Sequence, residues 1–314
     1  MARLRLVTLG IVALFAAACG PGGGASSTPT NGSATTGPST APVTAAPTAD
    51  ACATDALPTK TAGKLTVGTS NPAYPPYYQT RDGGNTEPWD PAQGDPTTGK
   101  GFESAVAYAM AEQLGFTRDG VTWVPADFNE SFAPGAKDYD FFIGQVTFNE
   151  DRAENADLSE GYYFGNQTVV TMADSEFATA TTLTALKAAE LGAQIGTTSL
   201  ATIEEVIAPT AEAAVYNSTD DALEDMKTGD IDGVVVDLPT ADFITNVQVE
   251  GSKIVGQIGL AAGAQPEHFS VVLEQGSALT ACVNQAITAL TDDGTLDVLS
   301  DEWLPFSAVP ELQP

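Results

Sequence analysis

The stretch QVTFNEDRAENADLSEGYY, residues 145–163, carries one arginine in a run of acids. The chain has 41 acidic side chains against 12 Lys plus Arg, and Arg152 is one of only five arginines. A guanidinium is a planar fork that can hold a carboxylate through two charge-assisted hydrogen bonds. Two readings are open. Arg152 pairs with Glu150, Asp151 or Glu154 on a solvated surface, where such pairs contribute little. Alternatively, it points into a cleft and holds a carboxylate from outside the protein. Other reactive residue types are sparse. His268 is the only histidine, which removes multi-His metal sites and weakens any Ser-His-Asp arrangement. Neither a G-x-S-x-G motif nor a phosphate-binding glycine loop is present. The composition therefore points away from an enzyme, and no cofactor or metal is expected.

The three cysteines divide by position. Arg3, Arg5 and the apolar LVTLGIVALFAAAC have the flanks and length of an export signal over 1–18, too short for a confident membrane span. Ala16-Ala17-Ala18-Cys19 is either an ordinary small-residue cleavage site or a lipobox whose Cys19 becomes an acylated N-terminus. Residues 19–50 are Gly, Ser, Thr, Pro and Ala with almost no charge, a flexible tether reaching on the order of 30 Å. This predicts a protein held by a lipid anchor on the extracytoplasmic face of the cell membrane. Cys52 and Cys282 remain, either as a disulfide suited to oxidising surroundings or as two independent buried thiols. Without Arg3 and Arg5 the formal charge goes from -29 to -31, which argues against nucleic acid and against lying flat on anionic lipid.

The body from residue 51 alternates strand and helix signals. KLTVGT, VTWVPA, DYDFFIG, AQIGT, AEAAVYN and IDGVVVD read as strands, the last as one buried on both faces. GFESAVAYAMAEQLG is a helix with Phe102, Val106, Met110 and Leu114 on one stripe. TLTALKAAELG, TIEEVI, TDDALEDMKTG and two segments near the C-terminus are further helices, with Thr202 and Glu205 spaced as a capping box. This alternation predicts an α/β fold with mostly parallel sheets flanked by helices. It is interrupted by β-rich segments near 161–173 and 267–273. Two such crossings fit two lobes with the second inserted in the first: 51–166 and 267–314 in one lobe, 167–266 in the other. Ligands of such folds bind beyond the carboxyl ends of the strands.

In order, VGTSNPAYPPYY, GKGFESAVAYAMAEQLGF, DYDFFIGQVTFNEDRAENADLSEGYY, IDGVVVDLPTA and LTDDGTLDVLSDEWL resemble the extracellular solute-binding proteins of amino-acid ABC transporters, polar amino-acid branch. The resemblance implies a two-lobe, periplasmic-binding-protein-like fold with two crossover strands at the hinge. It also implies a monomer that delivers a free amino acid to a membrane permease and its ATPase. In that reading Arg152 and Thr147 hold the ligand carboxylate, joined from the second lobe by the helix start at Thr202. Asp237 and the backbone carbonyl of Gln145 take the ammonium, and Phe128 and Tyr74 cover the ligand. Each residue also has an ordinary role: Asp237 and Thr202 as helix caps, Phe128 and Tyr74 as core aromatics. The chain departs from the family at Leu200-Ala201-Thr202, where a Gly-Thr-Thr-like stretch is usual, and it adds an insert over about 80–98. Ser70 and Asn71 stand where the family often has a side-chain-reading acid, which favours a neutral or polar ligand side chain. A sensor subunit and a cyclohexadienyl-dehydratase-like enzyme are the alternatives on the same fold.

Overall fold

A computed structural model describes residues 52–259, 267–305 and 308–314. The export signal, Cys19 and the tether lie outside these residues. The chain runs through β1 (Leu65–Thr69), α1 (Phe102–Gln113), β2 (Val121–Pro125), α2 (Phe128–Ser131) and β3 (Phe141–Phe142). It continues through α3 (Glu150–Ala153), β4 (Ala156–Leu158), β5 (Tyr163–Gly165) and β6 (Gln167–Met172). Next come β7 (Leu191–Gln194), α4 (Thr198–Ala201), β8 (Ala214–Tyr216), α5 (Thr219–Thr228), β9 (Gly233–Asp237), α6 (Leu238–Phe243) and β10 (Ser252–Ile258). Finally β11 (Glu267–Phe269) and β12 (Val272–Glu274) precede α7 (Thr280–Asp292), α8 (Thr295–Trp303) and β13 (Glu311–Leu312).

Two sheets form, in the orders β2-β1-β3-β12-β4 and β13-β10-β6-β9-β7-β8. Each is mixed. β1 pairs in parallel with β2 and β3, and β7 pairs in parallel with β8 and β9. The strands that return from a crossover, β12 and β6, pair antiparallel with their neighbours. The crossings themselves pair as the antiparallel ribbon β5–β11, which links the two sheets.

Side-chain alternation explains the layers. Val234 and Val236 of β9 enter one apolar cluster and Val235 enters another, so this central strand is covered on both faces. In the first sheet, Leu65 and Val67 face the cluster that holds the α1 stripe of Phe102, Val106, Met110 and Leu114. α1 packs on α7 and α8 there. Cys52 and Cys282 are bonded, with Cα atoms 5.4 Å apart, and tie the segment before β1 to α7. Closing so long a loop contributes about 2–5 kcal/mol in a chain-entropy account.

The C-terminus departs from the sequence expectation. Residues 267–314 do not all belong with the first sheet, because β13 joins the second in parallel with β10. Leu312 is buried there beside Val169 and Ile258. The addition covers what would otherwise be an exposed edge strand. The helix expected in TLTALKAAELG is reduced to a 3₁₀ turn, Thr184–Ala188, in which Leu186 alone is buried and no apolar stripe supports a longer helix. Among the described residues, no helix is long and apolar enough to cross a membrane.

Candidate functional site

A cleft of about 300 Å³ lies between the two sheets. Its walls come from the loops that follow β1, β2 and β3 on one side and β7, β8 and β9 on the other. These are the carboxyl ends of the strands, where backbone groups are free to meet a ligand. Tyr74, Phe128, Gln145, Thr147, Arg152 and Asp237 all line it.

Arg152 is positioned by a short helix that Asn149 caps through its side chain. It is only 6% exposed and makes no ion pair with Glu150, Asp151 or Glu154. Its guanidinium donates to the carbonyl of Thr147 and, at 2.8 Å across the cleft, to that of Gly196. The Phe132 and Phe128 rings lie 4.5 and 5.6 Å from it. Burial lowers its pKa to about 10, while Asp237 and Glu267 act in the opposite direction. The result is a buried cation with donors to spare and, among the described residues, no carboxylate in direct contact, an arrangement that favours an incoming anion.

Asp237 ends β9, and its carboxyl is raised to about 7 by burial and by neighbouring Glu267. The Gln167 amide donates to it at 2.8 Å and, with Arg152, moderates that rise. Its side chain does not cap α6, although it occupies the cap position ahead of Pro239. It is therefore available to a guest. The sequence reading missed Gln167 and Glu267. One Gln167 amide nitrogen reaches Asp237, Glu267 at 3.0 Å and Thr198 at 3.3 Å, and its carbonyl oxygen accepts from Ser199. Their position on the two crossover segments was the available signal.

Thr202 is not where the sequence reading put it. It lies inside the helix, buried, at the start of a π-helical stretch Thr202–Ile207, and it does not line the cleft. The helix begins a turn earlier. Gly196 adopts φ +77, Thr197 is extended, and the Thr197 hydroxyl accepts from the Leu200 N–H at 3.1 Å. A residue with a Cβ rarely adopts φ +77, so the position favours glycine. The Gly-Thr-Thr stretch sought at 200–202 is thus Gly196-Thr197-Thr198, and Thr197, Thr198 and Ser199 reach the cleft.

Phe128 lines the cleft and meets Phe132 edge to face at 5.3 Å. Tyr74 spans the cleft: its hydroxyl donates to Asp220 at 2.9 Å. Tyr77 and Thr240 also meet across it at 3.1 Å, as do Thr198 and Thr147 at 3.3 Å. The walls therefore touch. Removing one such bond should cost the closed arrangement about 0.5–1.5 kcal/mol. Tyr74→Phe is expected to weaken apparent ligand affinity about two- to tenfold in a calorimetric titration while leaving ligand selectivity unchanged. Affinity equal to the parent protein would show that this bond does not hold the closed form.

The 80–98 insert is ordered by Arg81 donating to buried Asp95 at 2.7 Å and by Trp89, which enters the core. None of its residues lines the cleft. It braces the loop that does: Asn71 donates to the Pro88 carbonyl at 2.7 Å and accepts from the Asp90 N–H at 3.1 Å.

Comparisons with known proteins agree with this architecture. The chain is 28% identical over 214 residues to the ABC transporter arginine-binding protein 1 of Escherichia coli K12, covering 65% of this chain and 82% of that one. It is 26% identical over 250 residues to the L-cystine-binding protein TcyJ of the same strain, covering 78% and 84%. A solved structure of an ancestral arginine-binding protein bound to glutamine superposes with a TM-score of 0.62 at 26% identity, covering 78% of this chain and all of that one. A family model matches residues 65–306, most of the body that carries both sheets and the cleft. The chain belongs to the bacterial extracellular solute-binding proteins, family 3.

Proposed function

We propose that the protein is the substrate-binding lipoprotein of an ABC importer and holds a free amino acid in the cleft between its lobes. The observation that carries this reading is Arg152, buried, charged and, among the described residues, without an acidic partner in contact, across the same cleft from Asp237. The two groups suit the carboxylate and the ammonium that every amino acid carries on one carbon. Gln145 and Thr147 assist from the first lobe, Thr197, Thr198 and Ser199 replace Thr202 on the second, and Phe128 and Tyr74 cover the guest.

The ligand side chain in this reading is neutral or polar. The other cleft carboxylates are already committed: Asp127 caps α2 and Asp220 accepts from both Tyr74 and Gln248. Ser70, Gln194 and Asn217 offer hydroxyl and amide groups instead. Contacts from both lobes favour the closed form, so ligand shifts a hinge equilibrium, and a permease recognises the closed shape. The lobes divide near 166 and 266, with β13 as the exception. Acylated Cys19 and the 19–50 tether hold the monomer outside the cytoplasmic membrane.

The test is calorimetric titration of the body, unfolded and refolded to strip bound ligand, against all common amino acids. Tight binding of one or a few is expected, and binding of none would overturn the reading. Prephenate and arogenate belong in the same series. Glu267, raised by burial, is held beside Asp237 by Gln167 and does not line the cleft, so turnover of either compound would be needed to establish the dehydratase alternative.

A further inference from the structure

Glu103 is in the first turn of α1 and is fully buried. An acid in a helix's first turn is ordinarily accounted for by the helix dipole at a solvated surface. This one faces inward, and among the described residues no cation pairs with it. A buried carboxyl of this kind is costly unless donors satisfy it. Its donors come from Gln145, which lines the cleft, and from Tyr162 in the core. The backbone N–H of Gln145 reaches one oxygen at 2.6 Å, the side-chain amide of Gln145 reaches the other, and the Tyr162 hydroxyl joins the first. Burial raises the carboxyl to about 7, and these donors act against that rise.

Gln145 is also conformationally unusual. Its φ is +50, and among the described residues only Ala208 is another non-glycine residue in that region. The left-handed conformation costs a residue with a Cβ roughly 1–2 kcal/mol. Such strain persists where the surroundings impose it, often at ligand sites. Here Glu103 holds both the main-chain and side-chain nitrogens of the strained residue. Gln145 lines the cleft, and two residues later the Thr147 carbonyl anchors Arg152.

We propose that Glu103 is a positioning residue for ligand: its carboxylate clamps Gln145 in the left-handed conformation that presents the Gln145 carbonyl to the ammonium end of the guest. Glu103 touches no ligand itself. This inference rests on the amino-acid reading above.

Glu103→Gln tests it, because an amide removes the charge and one of the two acceptor oxygens to which Gln145 donates. The amino acid that binds the parent protein should bind the variant at least tenfold more weakly, and its advantage over the 2-hydroxy analogue should shrink. Glycine adopts positive φ at little cost, so Glu103→Gln should lose far less affinity when made in the Gln145→Gly background. A residue that merely supports the core would lower the melting temperature without changing that selectivity. Affinity within twofold of the parent with unchanged selectivity overturns the proposal, whatever the melting temperature. Should Glu103→Gln not fold, Glu103→Asp carries the same test, since it keeps the charge and shortens the reach by one methylene. Parent protein that binds no amino acid overturns the functional reading and this proposal together. Parent and variant that bind alike overturn this proposal alone.

Discussion

Arg152→Ala is expected to weaken amino-acid binding about 30- to 5,000-fold, corresponding to the roughly 2–5 kcal/mol lost when one member of a buried, hydrogen-bonded charge pair is removed. The large effect follows from burial. The guanidinium is enclosed by Phe128, Phe132 and two backbone carbonyls, so a carboxylate meeting it would be shielded from water. Arg152→Lys keeps the charge but loses the fork, and also the geometry that lets one side chain hold Thr147, Gly196 and a guest together. It should fall between the parent and the Ala variant. Arg152 sits on the four-residue helix Glu150–Ala153 and lines the cleft, so circular dichroism should show an unchanged fold. Undiminished affinity in Arg152→Ala would remove this residue from the site.

The second large effect is expected at Asp237. Asp237→Asn keeps the shape and removes the charge, and should cost a comparable 2–5 kcal/mol while abolishing discrimination against the deaminated analogue. Its titration gives a pH prediction with a definite sign. In the ligand-free protein the carboxyl is raised to about 7, and an ammonium guest favours its ionised form. Affinity should therefore be greatest above pH 7 and fall by up to about tenfold for each unit below it. Glu103, also raised to about 7, touches no ligand and enters the stability of the fold instead. Stability of the ligand-free protein runs the other way. Both folded-state values lie above the ordinary carboxylate range, so the native state binds protons more tightly than the unfolded one. Its stability falls as pH rises from about 4 to 7, and the penalty is complete above that. Thermal melts with and without ligand should show a lower melting temperature for the free protein at pH 8 than at pH 6, but a larger ligand-induced increase at pH 8. An increase that shrinks from pH 6 to pH 8 would contradict the assignment of Asp237 to the ammonium.

The cleft was legible in the sequence where chemistry and spacing coincide. Arg152 is conspicuous in so acidic a chain, and Asp237 closes an apolar strand whose buried pattern fixes where its carboxyl emerges. The α1 stripe and the β9 run follow from periodicities of 3.6 and 2. What escaped is set by tertiary contact. Thr197, Thr198 and Thr202 are all competent near a helix start, and the spacing to Glu205 favours the last. The actual start is the Thr197 side-chain cap that follows Gly196 at φ +77, and Thr202 is then enclosed within the helix. Glu103 and Gln145 are 42 residues apart, and an acid in a helix's first turn looks ordinary until its burial is seen. β13 has two residues and no periodicity, so its return to the second sheet depends on the edge that β10 offers.

Arg152 and Asp237 are tested together by comparing dissociation constants for one bound amino acid, its carboxamide and its 2-hydroxy analogue on the parent protein. The first derivative removes the anion meant for Arg152, and the second removes the cation meant for Asp237. Tight binding of the intact amino acid and a loss of about 30-fold or more for each derivative are expected. Equal binding of the carboxamide would contradict the role of Arg152, and equal binding of the 2-hydroxy acid would contradict that of Asp237.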